Sequence, residues 1–498
     1  MSRPYYLTTA IHYPNGRPHI GHAYEMIAAD AIARFQRQQG REVRFQTGTD
    51  EHGLKMAQTA RGRDMTPRQL ADEMSSYFHD MADALDISYD RFIRTVEPDH
   101  YAASQAIWKA MEAAGDLYLD RYEGWYSVRD EAFYEEKELT EGEGGQKLSP
   151  QGTPVEWTAE ETWFFKLSKY QQPLLDLYNS QPDFIRPESR RNEIMRFVEG
   201  GLVDLSVSRT SFDWGVPVPG SPGHVMYVWV DALTNYITGA GYPDDAEAFA
   251  KWWPADLHLI GKDIVRFHAV YWPAFLMSAG LPLPKQVFGH GFLLNRGEKM
   301  SKSTGNVVDP MALAELYGVD ALRYFLLRDV SFGNDGTFSD EAIVTRANAD
   351  LSNSFGNLAQ RTLAFIAKNV DGVLEAGRGD PADDALLAEV RTGCATFRYC
   401  FEDLALNQGI EAWMAAVFAC NQYIDVQAPW ALRKTDPERM HAVLGTLVTA
   451  IRLLAETIEP VIPKSARKLL DHLGPEGSKI EPPVPIFPRL ELQTTETV

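Results

Sequence analysis

Residues 5–22, YYLTTAIHYPNGRPHIGH, limit the possible fold more than any other stretch of the chain. Tyr5 to Ala10 alternates and branches as a short buried strand does. Pro14, Asn15, Gly16 and Pro18 form a turn, and apolar helical spacing begins at Ile20 and continues through Phe35. A strand, a glycine-bearing turn and a helix start present free backbone N–H groups and the positive end of a helix dipole, where a phosphate ligand binds most cheaply. His19 and His22 are three apart and so share one face of the first helical turn, while Gly21 removes a side chain where a flat ligand could approach the backbone. The arrangement suits a nucleotide; two solvated histidines near a helix start are the ordinary alternative.

Far downstream, Lys299-Met300-Ser301-Lys302-Ser303 lies between Gly297 and Gly305, so two lysines three apart ride on a segment with a flexible residue on each side. Two point charges on a mobile loop can close over a transferring phosphoryl group. A lysine pair on a loop is usually solvated surface, yet a match to five specified residues arises by chance in roughly one chain in several thousand.

HIGH at residues 19–22 and KMSKS at 299–303 resemble the two signatures of class I aminoacyl-tRNA synthetases. TGTDEHG at 47–53, YVWVDA at 227–232 and IGKDI at 260–264 resemble the methionyl-tRNA synthetase family in particular. That resemblance implies a Rossmann-like doubly wound parallel sheet with a β-rich insertion, followed by an all-α helical bundle. It implies a methionine–tRNA ligase that makes methionyl-adenylate and pyrophosphate from L-methionine and ATP, with Mg²⁺, and then charges tRNA(Met), initiator tRNA included. Neither step needs a covalent nucleophile on the enzyme, so the residues to seek are donors and cations.

On that resemblance His19 and His22 donate to the phosphates and Lys299 and Lys302 close over the charge that develops as pyrophosphate leaves. Gly21, Met300 and Ser301 complete the ATP contacts, and Gly261 and Asp263 form the adenosine ribose site, although Asp263 also reads as a helix N-cap. Asp50 matches the residue that holds the methionine ammonium. For the rest of the amino acid the matching positions are Ala10, Ile11, Tyr13, Trp229, Ala232 and Leu233, with Tyr236, Ile264, His268 and Trp272. Aromatic walls favour a thioether, since sulfur gains from ring contacts; ordinary core is the alternative for each ring in isolation. Asn353, Asn357 and Arg361, four apart on one helical stripe, and Trp430, in a loop between helices, match the anticodon reader, with amides and a guanidinium bonding unstacked bases and the indole stacking on one.

Taken in order, strand and helix patterns alternate from residue 3 to about 115: the opening strand, a helix over 23–39, a strand at 43–47, and helices over 67–85 and 100–114. This alternation predicts a doubly wound parallel sheet. Short aromatic-rich runs between 116 and 214 predict an inserted β-rich module. Many members of the family carry a zinc knuckle with Cys-x-x-Cys there; this chain has Ser127 and Asp130, and a serine cannot replace a thiolate ligand, so no metal is expected. The sheet resumes with strands at 225–230, 256–260 and 286–290 and a helix over 264–279 stopped by Gly280 and Pro282. Helices follow over 311–317 and 320–327, and from 343 to 460 nearly everything has helical period. A proline-punctuated tail from Pro482 predicts a strap and a loose terminus.

The predicted domains are therefore 1–115 and 215–290 as two halves of the catalytic domain, 116–214 as the insertion, 291–342 as the KMSKS and stem-contact segment, and 343–498 as the anticodon-binding domain with its strap. No appended oligonucleotide-binding module follows, which favours a monomer. There is no leader segment and no apolar run long enough to span a bilayer, so a cytoplasmic protein with no membrane partner is expected. Cys394, Cys400 and Cys420 lack Cys-x-x-Cys spacing and read as buried reduced thiols.

A net charge of −21 opposes nucleic-acid binding unless basic residues gather on one face. Among rivals, synthetases for leucine, isoleucine or valine usually carry an editing insertion larger than 116–214, and a cysteine enzyme needs zinc ligands that are absent here. A silent tRNA-binding paralogue has no physical need for paired phosphate donors, and a simple nucleotidyltransferase needs no long helical domain with a base reader.

Overall fold

The structure is a computed structural model that describes residues 3–130, 132–295, 297–300 and 307–492. The chain divides into two compact units, one from Met1–Ala29, Gln39–Asp83 and Ile87–His290, the other from Asp30–Gln38, Ala84–Asp86 and Gly291–Val498.

The first unit is built on a six-stranded sheet in the order Arg91–Arg94, Val43–Thr49, Tyr5–His12, Leu257–Gly261, Val287–His290, Ile185–Arg186. Every pairing in it is parallel, with Leu7 opposite both Phe45 and Leu257. This is the doubly wound sheet that the alternating pattern predicts. Tyr5–His12 is buried along almost its whole length because helices cover both faces, which is why it reads as a nearly continuous apolar run. Its two threonine hydroxyls are satisfied inside the sheet, Thr9 by Thr47 at 2.8 Å and Thr8 by His258 at 2.7 Å. Order reverses between Tyr5–His12 and Leu257–Gly261, so the crevice at their carboxyl ends is the expected ligand position. The register of Tyr5–His12 against Val43–Thr49 shifts between Thr8 and Ile11, at the mouth of that crevice.

Two elements differ from expectation. Only Val225–Met226 is strand; the apolar run from Val228 on is the helix Val228–Thr238. Burial around its whole circumference, from Val230 through Thr238, erased the amphipathic signal, leaving β-branched composition to mislead. The helix expected over 264–279 is a 3₁₀ turn at Lys262–Ile264, a wide π-helical stretch at Phe267–Tyr271 and an α-helix at Trp272–Ser278.

The insertion is an antiparallel sheet in the order Leu205–Ser206, Glu156–Phe165, Leu117–Ser127, Ala132–Tyr134. Ser127 and Asp130 lie in a hydroxyl–carboxylate cluster: Ser127 Oγ is 2.7 Å from Thr153 Oγ1, and Asp130 Oδ2 accepts from Ser149 Oγ at 2.6 Å and Tyr134 OH at 3.0 Å. These bonds tie together the loops a knuckle must join. No group of three or more His, Cys, Asp or Glu among the described residues could hold a metal ion.

The second unit is largely helical, with a small sheet of Glu298–Lys299, Leu293–Asn295 and Gly336–Phe338. Asp-Pro pairs start three of its helices, Pro310–Tyr317, Pro381–Glu402 and Pro437–Ile458: each proline fills N1, where no N–H is needed, and Asp309, Asp380 and Asp436 cap from the preceding position. At its centre Arg323, fully buried, pairs with Asp30 at 2.6 Å and donates to the Pro460 and Val461 carbonyls at 3.0 Å. The three cysteines are free and buried, and burial pushes the Cys420 thiol up to about 12. Contrary to expectation, one helix, Pro437–Ile458, has the length and hydropathy of a membrane span; Val443, Leu447, Ile451 and Leu454 on it are buried in the bundle.

Candidate functional site

The turn after Tyr5–His12 brings the chain into the helix Ile20–Gln38, with His19 immediately before it and His22 in its first turn. The Gly21 N–H donates to His19 Nδ1 at 3.0 Å and the His19 N–H donates to His22 Nδ1 at 3.1 Å. Both Nδ1 atoms therefore accept, which puts the proton of each ring on Nε2 as a donor. The two rings stack with centroids 3.8 Å apart, and a Cβ on Gly21 would lie 2.9 Å from the His19 ring, so only glycine admits this packing. A helix N-terminus with two oriented N–H donors suits a phosphate by both charge and geometry.

Across the crevice, Leu257–Gly261 ends against Asp263, whose Oδ1 would lie 2.8 Å from a Cβ on Gly261. The N-cap position of the Lys262–Ile264 turn is Gly261, and Asp263 lies inside the turn rather than at its cap.

The helices Val228–Thr238 and Trp272–Ser278, with the π-helical stretch, gather an aromatic wall. Trp229 lies flat on Phe267 with centroids 3.7 Å apart and edge-on to His268 at 6.1 Å. His268 Nδ1–H donates to the Ile264 carbonyl at 2.9 Å, so its Nε2 accepts from the Tyr236 hydroxyl at 2.6 Å. Trp272 donates to His258 at 3.3 Å and lies 6.1 Å from Tyr236. Burial lowers His268 to about 4 and holds His258 well below the ordinary imidazole value, so the wall is polar in outline and uncharged. Ala10, Leu233, Tyr236 and Trp272 share one core cluster, against which Trp229 and Ile264 pack, and Ala232 is buried on the same helix. Ile11 is half-buried near the end of the central strand. Tyr13 departs from the group: it packs on the separate cluster around Met56 and its hydroxyl accepts from the Met56 N–H at 3.0 Å.

Asp50 stands just past the carboxyl end of Val43–Thr49, and its N–H donates to the His12 carbonyl at 2.9 Å. The segment that follows is held from several sides. Arg94 grips both Glu51 oxygens at 2.7 and 2.8 Å, and Trp214 Nε1 donates to the Glu51 carbonyl at 2.7 Å. His52 Nδ1 meets Asp231 at 2.6 Å, and His100 meets the other oxygen of Asp231 at 2.6 Å. Burial raises Asp231, but the charge and hydrogen bonds of those histidines outweigh it and bring the carboxyl down to about 2. Sequence reasoning missed this link, as it missed His12, His258 and Phe267. An aspartate amid an apolar run, as Asp231 is, was the available signal.

Lys299 pairs through its backbone with Leu294 in the small sheet of the second unit, and Met300 follows it. Ser301 and Lys302 lie outside the described residues. In the same unit Arg361 stands over the Trp430 ring at 5.3 Å and pairs with Asp425 at 2.8 Å. A groove beside them is lined by both residues with Phe365, Lys368, Asn369 and Arg433. Trp430 is not in a loop: Ala428 turns left-handed at φ 45° to end one helix, and Pro429 begins the helix Pro429–Thr435. Asn353 and Asn357 are exposed outside that lining. Asn353 falls in the wide-turn segment Ala347–Gly356, where a spacing of four no longer keeps residues on one stripe; Asn357 and Arg361 share the α-helix Asn357–Asn369.

The family described as tRNA synthetases class I (M) matches residues 5–363, and the anticodon binding domain of methionyl tRNA ligase matches 373–484. The methionine–tRNA ligase of Mesorhizobium japonicum is 60% identical, covering 96% of this chain and 93% of its own; that of Brucella suis biovar 1 is 57% identical, covering 98% of each. The structure of Mycobacterium tuberculosis methionyl-tRNA synthetase in complex with methionyl-adenylate superposes with a TM-score of 0.95 at 56% identity, over 98% of this chain and 100% of that one. With the paired imidazole donors at a helix start and the sheet that carries them, this similarity shows that the chain belongs to the methionyl-tRNA synthetase family of class I aminoacyl-tRNA synthetases, the methionine–tRNA ligases.

Proposed function

We propose that this chain binds L-methionine and ATP in the crevice of its parallel sheet, forms methionyl-adenylate there, and passes the methionyl group to tRNA(Met), initiator tRNA included. The observation that carries the reading is the pair of Nε2–H donors fixed on His19 and His22 at the helix start. A methionine carboxylate oxygen attacks the α-phosphorus, the bond to the bridging oxygen breaks, and pyrophosphate leaves with its electron pair. His19 and His22 donate to the phosphates, and Lys299 and Lys302 neutralise the charge growing on pyrophosphate. Gly21, Met300 and Ser301 add ATP contacts; Gly261 and Asp263 hold the ribose. Asp50 pairs with the methionine ammonium. Trp229, Tyr236, Ile264, His268 and Trp272 enclose the thioether with Ala10, Ile11, Ala232 and Leu233; Tyr13, the remaining position of the methionine set, packs on the separate Met56 cluster and is given no place in the wall.

Mg²⁺ enters as the magnesium salt of ATP and supplies charge neutralisation on the phosphates. No group of three or more His, Cys, Asp or Glu among the described residues could hold a metal ion, so no residue of this chain is assigned to it. In the other unit, Asn353, Asn357, Arg361 and Trp430 read the anticodon, with a base stacking on the indole and amides bonding base edges. The division of labour follows: 1–115 and 215–290 catalyse, 116–214 is the insertion except for Ile185–Arg186, which joins the catalytic sheet as its edge strand, 291–342 carries the KMSKS loop, and 343–498 binds the anticodon. The chain works in the cytoplasm as a monomer, without a membrane partner.

The test is exchange of labelled pyrophosphate into ATP across all twenty amino acids, without tRNA. Exchange with methionine alone is expected; exchange with another amino acid retires the pocket assignment, and none at all moves the chain to a silent tRNA binder.

A further inference from the structure

His12 is the last residue of the central strand, and its side chain is only 6% exposed. Its Nε2 is buried and has no hydrogen-bond partner within the protein. A buried imidazole nitrogen without a partner costs stability unless a ligand or a trapped water completes it. The ring is firmly held, stacked on Phe78 with centroids 5.4 Å apart and edge-on to His22 at 4.9 Å. It thus extends the stacked His19–His22 pair into a row of three imidazoles that runs from the helix start back to the strand end. At the other side of His12, its own carbonyl accepts from the Asp50 N–H.

The position is chemically specific. On the proposed function, His22 faces the phosphates and Asp50 faces the ammonium. In methionine the group that joins the ammonium-bearing carbon to the reacting phosphorus is the carboxylate, which is what must lie between those two residues. We infer that His12 Nε2–H donates to the methionine carboxylate and holds one of its oxygens while the other attacks the α-phosphorus.

A neutral donor suits that duty, because a cation at the same place would draw charge from the nucleophile it orients. Burial lowers the His12 pKa, Glu25 opposes the shift and His290 adds to it, and the net direction keeps the ring neutral. Glu25 and His290, buried nearby, pair with each other at 2.8 Å. When the mixed anhydride forms, the held oxygen becomes a carbonyl and His12 keeps the same bond, so the contact serves ground state and adenylate alike.

The inference rests on methionine activation in this crevice, which exchange by the unaltered chain checks separately. The decisive comparison is His12→Phe, which keeps the ring and its stacking and deletes the donor, beside His12→Gln, which keeps a donor. Pyrophosphate exchange should show His12→Phe raising KM for methionine about tenfold with KM for ATP unchanged, and His12→Gln recovering part of the loss. Calorimetric binding of 3-(methylthio)propylamine, which is methionine without its carboxylate, should be the same for unaltered chain and His12→Phe. A rise in KM for ATP instead would make His12 a phosphate donor and overturn the assignment. Unchanged kinetics, or equal weakening of methionine and the amine, would also overturn it.

Discussion

His268 is a single residue whose hydrogen bonds, burial and charge state all point the same way. Its Nδ1–H is committed to the Ile264 carbonyl and its Nε2 accepts from the Tyr236 hydroxyl, so a second proton would have to turn that hydroxyl from donor to acceptor inside the core. Burial places its pKa at about 4, below the 6.5 of an unfolded chain. Between those two values the unfolded state takes up a proton that the folded state refuses, so stability contributed by this residue is complete above pH 6.5 and is lost as pH falls to about 4. The displacement corresponds to about 3 kcal/mol. Burial lowers His12 and His258 in the same direction, which adds to the slope. Denaturant titrations at pH 7 and pH 5 should therefore show a falling midpoint, and His268→Gln should fall less over that interval. An equal fall in the variant would show that His268 titrates normally. The family motifs named His268; they did not reveal what fixes its tautomer, because the bond from its Nδ1–H to the Ile264 carbonyl depends on a backbone geometry that the expected α-helix does not describe. His12 was invisible for a related reason, since a histidine ending a strand carries no sign of whether its ring finds a partner.

At the scale of elements, four of the six strands of the parallel sheet could be read from the sequence, because buried parallel strands are continuous apolar runs; the edge strands Arg91–Arg94 and Ile185–Arg186 were not, since two to four residues with arginine among them make no such run. The Asp-Pro helix starts were equally open: Asp309-Pro310, Asp380-Pro381 and Asp436-Pro437 all place an acidic cap before a proline at the first helical position. The helix Val228–Thr238 was not legible, since an element buried on all sides shows no periodicity and its β-branched residues suggest a strand. Trp430 was placed in a loop because Ala428 in a left-handed conformation gives no glycine or asparagine to mark the break. Nor could any local pattern show that Arg323, on the helix Val319–Asp329, is buried where it meets Asp30 and the Pro460 and Val461 carbonyls. Arg323→Met should destabilise the helical unit by about 3–5 kcal/mol, because it leaves two carbonyls and much of the Asp30 charge uncompensated. Hydrogen exchange across Val319–Asp329 and Pro437–Ile458 would register the loss; unchanged protection would show the arginine to be dispensable.

For the molecule as a whole, the question set by a net charge of −21 is how it holds a polyanion. On the proposed function the answer is local rather than global: Arg361, Lys368 and Arg433 line one groove with Trp430, which remains 46% exposed. Three cations and an exposed indole there fit the requirements of a base-stacking platform. Stacking and phosphate contact then predict different signatures. Trp430→Ala should lower kcat/KM for tRNA charging by about tenfold to a hundredfold, the worth of one base stacked on an aromatic ring, with the salt dependence unchanged. Arg433→Ala should instead make charging less sensitive to salt, because one fewer counterion is released on binding. Neither change touches the crevice in which methionine is activated, so pyrophosphate exchange should proceed at the unaltered rate in both. If exchange fell in step with charging, the groove would be supporting the fold rather than reading tRNA, and the acidic chain would have to find its polyanion elsewhere.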